Sequence, residues 1–327
     1  MINRRTFGAL TTAVMTAAVL GAGSPAMAQN KGELVYMTPG LDLAFWRYVS
    51  EGVKSVAKEN GYGFSALDST NDPQTQLQNA QDAIARGVSG IVLSPTDSST
   101  APAVLSLAKN AGIPVVIADI GTDSGEFVSV IGSNNYEGAY GVGEALAEAM
   151  KATGKEDASV GIVGISQSRL NGQARTKGFK DAMAKAGITG DSGLQQMQSY
   201  TADETFKFTQ DMITSNPDMG GMFVQTDAPS LGALRAIKAA RMQGDILLAA
   251  FDGIPEFVPL LQSGDLVVSG MQQPYLMGVN SAEAMVEHLN GGTPDKEITV
   301  PILIVTADNI EDMLPTIKET VFANEIE

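Results

Sequence analysis

The sequence predicts an α/β protein made of two similar, doubly wound parallel-sheet lobes joined by a three-strand hinge. From Glu33 onwards, short apolar runs alternate with segments of helical period, a pattern typical of a parallel sheet with helices on both faces. The same order of elements begins again after Asn135. In each half, one buried strand ends in an aspartate, Asp119 in the first half and Asp252 in the second.

The N-terminus differs in composition from the rest of the 327-residue chain. Arg4 and Arg5 precede an Ala/Thr/Val/Leu/Gly-rich stretch that ends in Ala26-Met27-Ala28. A basic head, an apolar middle and a small-residue end predict a cleavable secretory signal over residues 1–28, and therefore a periplasmic protein. The sequence Arg4-Arg5-Thr6-Phe7 also fits the twin-arginine signature, so the general-secretory and twin-arginine routes both stay open.

Charge and cysteine content exclude several classes of partner and chemistry. The first 28 residues hold two of the 21 basic and none of the 37 acidic side chains, which leaves a net charge of −18 on the remainder. Nucleic acids and anionic membranes reward basic patches, so neither is an expected partner. Because the chain has no cysteine, it forms no disulfide and has no thiolate chemistry.

The first lobe is predicted over residues 29–133, completed by 273–299. Its strands are expected at 34–37, 64–67, 90–93 and 115–119, and its helices at 45–56, 73–86 and 101–109. Asn60-Gly61 is a helix stop signal, and Asn71-Asp72-Pro73 is a helix start.

The second lobe is predicted over residues 134–272, completed by 300–306. Gly52 lies nine residues before Gly61, and Gly178 lies nine before Gly187, so the two helices correspond. A strand at 266–271, a helix at 277–289 and a strand at 300–305 are too few for a third domain, and they complete the two lobes across the hinge. The remaining residues, 307–327, are interpreted as a C-terminal extension with a short surface helix.

The run from Ile246 to Ala250 reads as a strand buried on both faces that stops at Phe251-Asp252-Gly253. Ligands of open α/β sheets collect beyond the carboxyl ends of the strands, so Phe251 and Asp252 are predicted to be pocket residues. Asp119 is expected at the matching place in the first lobe. A simpler alternative is that both aspartates cap the helices that follow them.

Several short motifs together indicate a family. These are Phe45-Trp46, Leu67-Asp68-Ser69, Pro95-Thr96-Asp97-Ser98, Ile113-Pro114-Val115, Ala174-Arg175-Thr176-Lys177-Gly178-Phe179, Leu231-Gly232-Ala233-Leu234-Arg235-Ala236 and Phe251-Asp252-Gly253. Over residues 33–306 the chain resembles the type I periplasmic sugar-binding proteins, the ribose-binding group in particular. The resemblance implies two lobes that close on a ligand about a three-strand hinge and present the closed form to the permease of an ATP-driven (ABC) importer.

The resemblance also implies which residues contact the ligand. Paired aromatics of the first loop stack on sugar faces, and aspartate, arginine and glutamine side chains bind the hydroxyl groups. This agrees with their chemistry, because carboxylates accept from paired hydroxyls and a guanidinium donates in a fork. The corresponding residues in this chain are Phe45, Trp46, Asp119, Arg175, Asp252 and Gln272.

The chain departs from the ribose-binding pattern at four positions. Ile120 stands where an arginine follows the aspartate, and Leu43, Ser94 and Thr226 stand where the family has asparagines. The predicted ligand is therefore a different pentose, a hexose or a polyol. The full set expected to bind it is Asp42, Phe45, Trp46, Ser94, Asp119, Arg175, Thr226, Asp252 and Gln272.

Other functions fit the sequence less well. His288 is the only histidine and follows no nucleophile elbow, so it is expected to be a solvated helix-end residue, and neither catalysis nor a bound metal or cofactor is predicted. A sugar-responsive repressor would carry a DNA-binding headpiece where this chain has an export signal. A periplasmic sensor or chemoreceptor partner, including one for a signalling furanone, stays open beside import. The chain is expected to act as a monomer.

Overall fold

A computed structural model describes residues 31–325, so the predicted signal at 1–28 lies outside the described residues. Within residues 31–325, no helix combines the length and the apolar character that crossing a membrane requires. Twelve strands and ten α-helices alternate along this part of the chain.

The strands are β1 (Glu33–Thr38), β2 (Gly63–Asp68), β3 (Gly90–Leu93), β4 (Val115–Ala118), β5 (Val130–Gly132), β6 (Ser159–Gly164), β7 (Gly190–Gln196), β8 (Met219–Val224), β9 (Leu247–Phe251), β10 (Val268–Met271), β11 (Glu297–Thr299) and β12 (Leu303–Thr306). The helices are α1 (Ala44–Glu59), α2 (Pro73–Arg86), α3 (Ala101–Asn110), α4 (Asn135–Ala152), α5 (Leu170–Lys185), α6 (Ala202–Ser215), α7 (Ser230–Ala239), α8 (Phe257–Ser263), α9 (Pro274–Leu289) and α10 (Ile310–Thr316). Helix α2 begins as the sequence predicts, because the Asp72 side chain accepts from the Thr75 N–H at 2.8 Å.

The strands form two six-stranded sheets of equivalent order. The first runs β11-β5-β4-β3-β1-β2 and the second runs β12-β10-β9-β8-β6-β7. Every neighbouring pair in the first sheet is parallel, and in the second sheet only β10 and β12 pair antiparallel. The predicted fold class is confirmed. The duplicated order places β4 and β9, which precede Asp119 and Asp252, at corresponding positions.

Glycines explain why the corresponding helices of the two lobes share a spacing. A Cβ at Gly52 of α1 would lie 2.3 Å from the Tyr275 carbonyl oxygen of α9. In the second lobe, a Cβ at Gly178 of α5 would lie 2.1 Å from the Tyr136 carbonyl oxygen of α4. Each helix pair therefore packs backbone against backbone, an approach that a larger residue would prevent.

The chain passes between the two sheets three times. The crossings lie between β5 and α4, between β10 and α9, and between β11 and β12. Helix α9 packs on α1 and β4 of the first lobe, and α4 packs on β9 and β10 of the second. Three connections of this kind form the hinge that the sequence predicts.

The C-terminal segment begins with the short surface helix that its acidic residues suggested, since Ile310 is the one buried residue of α10, but the residues that follow this helix turn into the core. Helix α10 runs directly into a π-helix, Ile317–Val321. Four apolar side chains of the segment are almost completely buried in the core of the second lobe: Ile310, Ile317, Val321 and Phe322. The Glu325 carboxylate then accepts a hydrogen bond from the Tyr48 hydroxyl of α1 in the first lobe. The segment is thus part of the second lobe and contacts the first.

Candidate ligand-binding site

Asp119 and Asp252 adopt the same unusual backbone conformation at the ends of β4 and β9. Their φ angles are 65° and 63°, in the left-handed region that non-glycine residues seldom occupy. The Asp119 N–H donates to the Ile131 carbonyl at 2.8 Å, and the Asp252 N–H donates to the Gly270 carbonyl at 2.9 Å. Neither residue precedes a helix directly, so the helix-cap alternative is wrong.

The second-lobe aspartate belongs to a fully formed ion-pair network. Arg175 Nη1 and Nη2 lie 3.2 and 3.5 Å from the two Asp252 carboxylate oxygens, and Gln272 Nε2 donates to Oδ1 at 2.8 Å. Arg175 also donates to the Gln225 carbonyl at 2.6 Å and to Asn135 Oδ1 at 2.7 Å. Arg175 is only 2% exposed, so its pair with Asp252 is a buried one.

Phe251 was predicted to line the pocket, and this is wrong. Its ring is completely buried, and the Arg175 guanidinium carbon lies 4.0 Å from the ring centroid. Successive side chains of a strand point to opposite faces, so Phe251 turns into the core where Asp252 turns towards the cleft. Phe251 therefore contacts the Arg175 guanidinium from the core side through a cation–π interaction.

In the first lobe, the aromatic pair Phe45 and Trp46 lies at the start of α1. Their rings meet edge to face, with centroids 4.8 Å apart and planes at 85°. Both residues are mostly buried, and both belong to the core of the first lobe while presenting an edge to the cleft. Phe45 therefore belongs both to the apolar core beneath α1 and to the lining of the cleft.

Asp119 is less completely paired than Asp252. Asn171 Nδ2, from the second lobe, donates to Asp119 Oδ2 at 3.2 Å, whereas Oδ1 is buried and has no hydrogen-bond partner within residues 31–325. Burial raises the pKa of Asp119 to about 6, although the nearby Arg175 charge opposes this shift. Asn171 Oδ1 and Gln272 Oε1 are also buried acceptors without a partner in the described part of the chain.

These side chains line a cavity between the lobes, here called the inner chamber. Seven of the nine residues predicted to bind ligand line it: Phe45, Trp46, Asp119, Arg175, Thr226, Asp252 and Gln272. Its remaining lining residues are Leu43, Ile165, Arg169, Asn171 and Tyr200.

A larger cavity, the outer chamber, adjoins the inner chamber. It is lined by Pro39, Gly40, Asp42, Leu43, Trp46, Asp68, Thr70, Asn71, Arg169, Gln198, Ser199 and Tyr200. Asp42, predicted to bind ligand, lines this outer chamber and not the inner one.

Ser94 is absent from the lining of both chambers. It is completely buried, its hydroxyl lies 3.0 Å from the Tyr36 hydroxyl, and its carbonyl accepts from Gln76 Nε2 at 3.0 Å. The prediction that Ser94 binds ligand therefore conflicts with its position. Its side chain is committed to a polar network within the first lobe.

Sequence reasoning missed the contribution of the loop that follows β6. Arg169, at the start of α5, donates from Nε to the Thr96 carbonyl at 2.9 Å and from Nη2 to Asn71 Oδ1 at 2.7 Å, both in the first lobe. Asn171 reaches Asp119 from the same turn. The rule that ligands meet the carboxyl ends of strands, applied to β6, would have selected this loop.

The part of the chain that the structure describes contains no cluster of candidate metal ligands. Within residues 31–325, no three His, Asp or Glu side chains are grouped to hold a metal ion. His288 is exposed in the last turn of α9, as its sequence position indicated.

Comparison with known proteins agrees with this architecture. Residues 34–293 match the periplasmic binding protein domain. The chain belongs to this family. It is 30% identical over 306 residues to the ribose import binding protein RbsB of Escherichia coli K12, with 93% of this chain and 99% of that protein covered.

Two solved structures share the fold with a TM-score of 0.79 each. One is a periplasmic solute-binding protein from Actinobacillus succinogenes with bound D-allose, which is 21% identical and covers 86% of this chain and 100% of that one. The other is a carbohydrate transporter solute-binding protein from Agrobacterium radiobacter in complex with D-arabinose, 23% identical, with 89% of this chain and 98% of that one covered. Members of this family bind and transport solutes, so the chain is not an enzyme.

Proposed function

We propose that the protein captures a small, uncharged sugar or polyol between its lobes and delivers it to the permease of an ABC importer. The observation that carries this proposal is the set of three buried acceptors around the inner chamber: Asp119 Oδ1, Asn171 Oδ1 and Gln272 Oε1. Buried acceptors without a partner cost free energy, and the hydroxyl groups of a polyol are donors that would satisfy them.

The charge of the inner chamber favours a neutral ligand. Its lining holds two acidic side chains, Asp119 and Asp252, and two basic ones, Arg169 and Arg175. Arg175 and Asp252 already neutralise each other across 3.2 Å. The other two, Asp119 and Arg169, are opposite in sign, so the lining has no net charge and would not match a ligand with a net charge, such as a sugar acid.

The side chains that line the chamber suit a sugar ring. Phe45 and Trp46 supply an apolar edge for the CH groups of a ring, opposite the polar groups of the second lobe. Leu43 and the fully buried Ile120 replace polar residues of the ribose-binding pattern, so we infer a ligand other than ribose.

Closure follows from the division of contacts between the lobes. Trp46 and Asp119 belong to one lobe, and Asn171, Arg175 and Asp252 belong to the other. A ligand makes all its bonds only when the lobes are together, so binding shifts the population towards the closed form, which the permease then engages.

The cellular location and the oligomeric state are part of the same proposal. The family is one of periplasmic proteins, and we infer that the signal at residues 1–28 is cleaved near Ala28 and that the mature chain acts as a monomer. The import names of the relatives favour transport over a sensor role.

The test is calorimetry on residues 29–327 with D-ribose, D-arabinose, D-allose, D-galactose and myo-inositol. We expect micromolar or tighter binding of at least one, weaker binding of ribose, and no binding of amino acids. Loss of the response in Asp252→Asn would localise binding to the inner chamber. Binding of amino acids or of a signalling furanone, with none of the sugars or polyols, would overturn the proposal.

A further inference from the structure

Arg169 is a charged side chain buried between the two lobes. It is only 6% exposed, and it lies just before the first residue of α5, in the second lobe. Its two directed hydrogen bonds both end in the first lobe, on the Thr96 carbonyl and on Asn71 Oδ1. The next residue strengthens the connection, because the Leu170 N–H donates to Ser98 Oγ at 3.2 Å.

No carboxylate within residues 31–325 lies at ion-pair distance from Arg169. The nine ion pairs of this part of the chain leave it out, and its partners are a carbonyl, an amide oxygen and the Tyr200 ring at 5.1 Å. The charges of Asp97 and Asp119 act on it from further away. Both of its directed hydrogen bonds end in the first lobe, so these contacts exist only while the lobes are together. The contacts of Arg169 therefore belong to the closed form.

Arg169 also borders both chambers. Only four residues line the inner and the outer chamber alike in the described part of the chain: Leu43, Trp46, Arg169 and Tyr200. Leu43 and Trp46 extend from the first lobe. Arg169, lying over Tyr200, extends from the second. Together these four side chains form the partition between the two chambers.

We propose that Arg169 is the specificity-determining residue that limits the ligand to a single sugar ring. Its guanidinium closes the inner chamber on the side of the outer chamber, and a substituent on the ring can pass only by displacing it from Thr96 and Asn71. An unsubstituted ring allows Arg169 to complete the closed form. The size limit rests on the proposed function, whereas the partition itself is independent of which ligand binds.

The partition is tested both in ligand-free protein and with a saturating sugar, because the contacts of Arg169 belong to the closed form. Trp46 is the only tryptophan of the chain and lines both chambers, so its fluorescence reports directly on access. We expect acrylamide to quench the Trp46 fluorescence of Arg169→Ala about twofold more strongly than that of the wild type, because the mostly buried indole becomes accessible to the quencher. Arg169→Lys, which keeps the charge but not the planar fork, should fall between them.

Arg235→Ala is the matched control. Arg235 donates to the Ala202 carbonyl and to Asp203 Oδ1, and it lies over the Phe206 ring at 5.3 Å. All these contacts are within the second lobe and outside both chambers. Acrylamide should therefore quench the Trp46 fluorescence of Arg235→Ala as strongly as that of the wild type.

The size limit is tested with D-ribose, D-arabinose and D-allose and the phenyl glycoside of each, by calorimetry. In the wild type, we expect a free sugar that binds to do so at least ~100-fold more tightly than its glycoside, and this ratio should fall below ~10 in Arg169→Ala. Equal quenching and an unchanged ratio in Arg169→Ala would overturn the inference. If no sugar binds the wild type but quenching still rises in the variant, the proposed function fails and the partition stands.

Discussion

Asp119 and Asp252 adopt the same backbone conformation in the two lobes, but their carboxylates differ in how completely they are hydrogen-bonded. Asp252 is surrounded by Arg175 and Gln272, which occupy both of its carboxylate oxygens. Asp119, in the equivalent position, receives one hydrogen bond from Asn171 of the opposite lobe, and its other oxygen is unpaired within residues 31–325. The second lobe is therefore preorganised, whereas the polar half of the first lobe is completed by the partner lobe and the ligand.

The largest effect is expected where this preorganisation is removed. Asp252→Ala leaves the buried Arg175 without its carboxylate, which should lower the free energy of unfolding by about 3–5 kcal/mol and reduce affinity at least ~1,000-fold. Thermal unfolding and calorimetry measure the two effects. Asp252→Asn, which keeps the shape and one acceptor, should recover part of the stability. Wild-type stability in both variants would show that the ion pair is not structural.

Asp119→Asn should separate binding from stability. Affinity should fall by about 10- to 100-fold, because a hydroxyl loses a charged acceptor. The unfolding temperature should stay at or above that of the wild type, because a desolvated carboxyl has been replaced by a neutral group. A loss of stability as large as that of Asp252→Ala would remove the contrast between the two lobes.

The raised pKa of Asp119 predicts that both stability and ligand affinity depend on pH. Because its folded value of about 6 lies above the unfolded value of 3.8, the folded free protein binds the proton more tightly, and stability falls as pH rises from 4 through 6, by up to about 3 kcal/mol. A ligand hydroxyl that donates to the carboxylate favours the ionised form. Affinity should therefore rise between pH 5 and 7 and then level off.

The control for this pH profile is Asp119→Asn. Asp227 is also buried, and burial together with the Asp252 charge raises its pKa to about 7 in the free protein. Because Asp227 is present in both proteins, the difference between the two profiles isolates Asp119. Identical profiles of affinity against pH would contradict the assignment.

The smallest effect on binding is expected at Ser94. Ser94→Ala should leave affinity within about twofold, because its hydroxyl bonds to Tyr36 and not to the chambers. The unfolding free energy should nevertheless drop by about 1–2 kcal/mol, since the completely buried Tyr36 hydroxyl loses this partner. Tyr36→Phe provides the reciprocal variant. A tenfold loss of affinity in Ser94→Ala would instead place the cleft against this strand end.

The sequence was most informative where local chemistry and fold position coincide. Apolar strands that stop at a charged residue, such as those before Asp119 and Asp252, identify both the parallel sheets and the edge where ligands collect. The repeat of Gly52 at Gly178 reflects a packing requirement that is the same in each lobe. These features are encoded within a few neighbouring residues, and the fold class followed from them.

Features that depend on contacts between distant segments could not be predicted in this way. Arg169 gains its position from Asn71 and Thr96, about 100 and 70 residues earlier in the chain, and its own neighbourhood resembles an ordinary polar helix start. Ser94 follows a strand end, as ligand-binding residues often do, but its hydroxyl is hydrogen-bonded to Tyr36. Which way a side chain points at a strand end could not be read from the sequence. The burial of Val321 and Phe322 likewise depends on a surface that only the folded second lobe supplies.

The C-terminal segment has a practical consequence. Because its apolar residues are buried in one lobe and Glu325 is hydrogen-bonded to Tyr48 of the other, the surroundings of Glu325 depend on the relative position of the lobes. A fluorescent group placed at position 325 would change its surroundings each time the cleft opens or shuts. Position 325 is thus a suitable attachment point for converting this protein into an optical sensor for its own ligand.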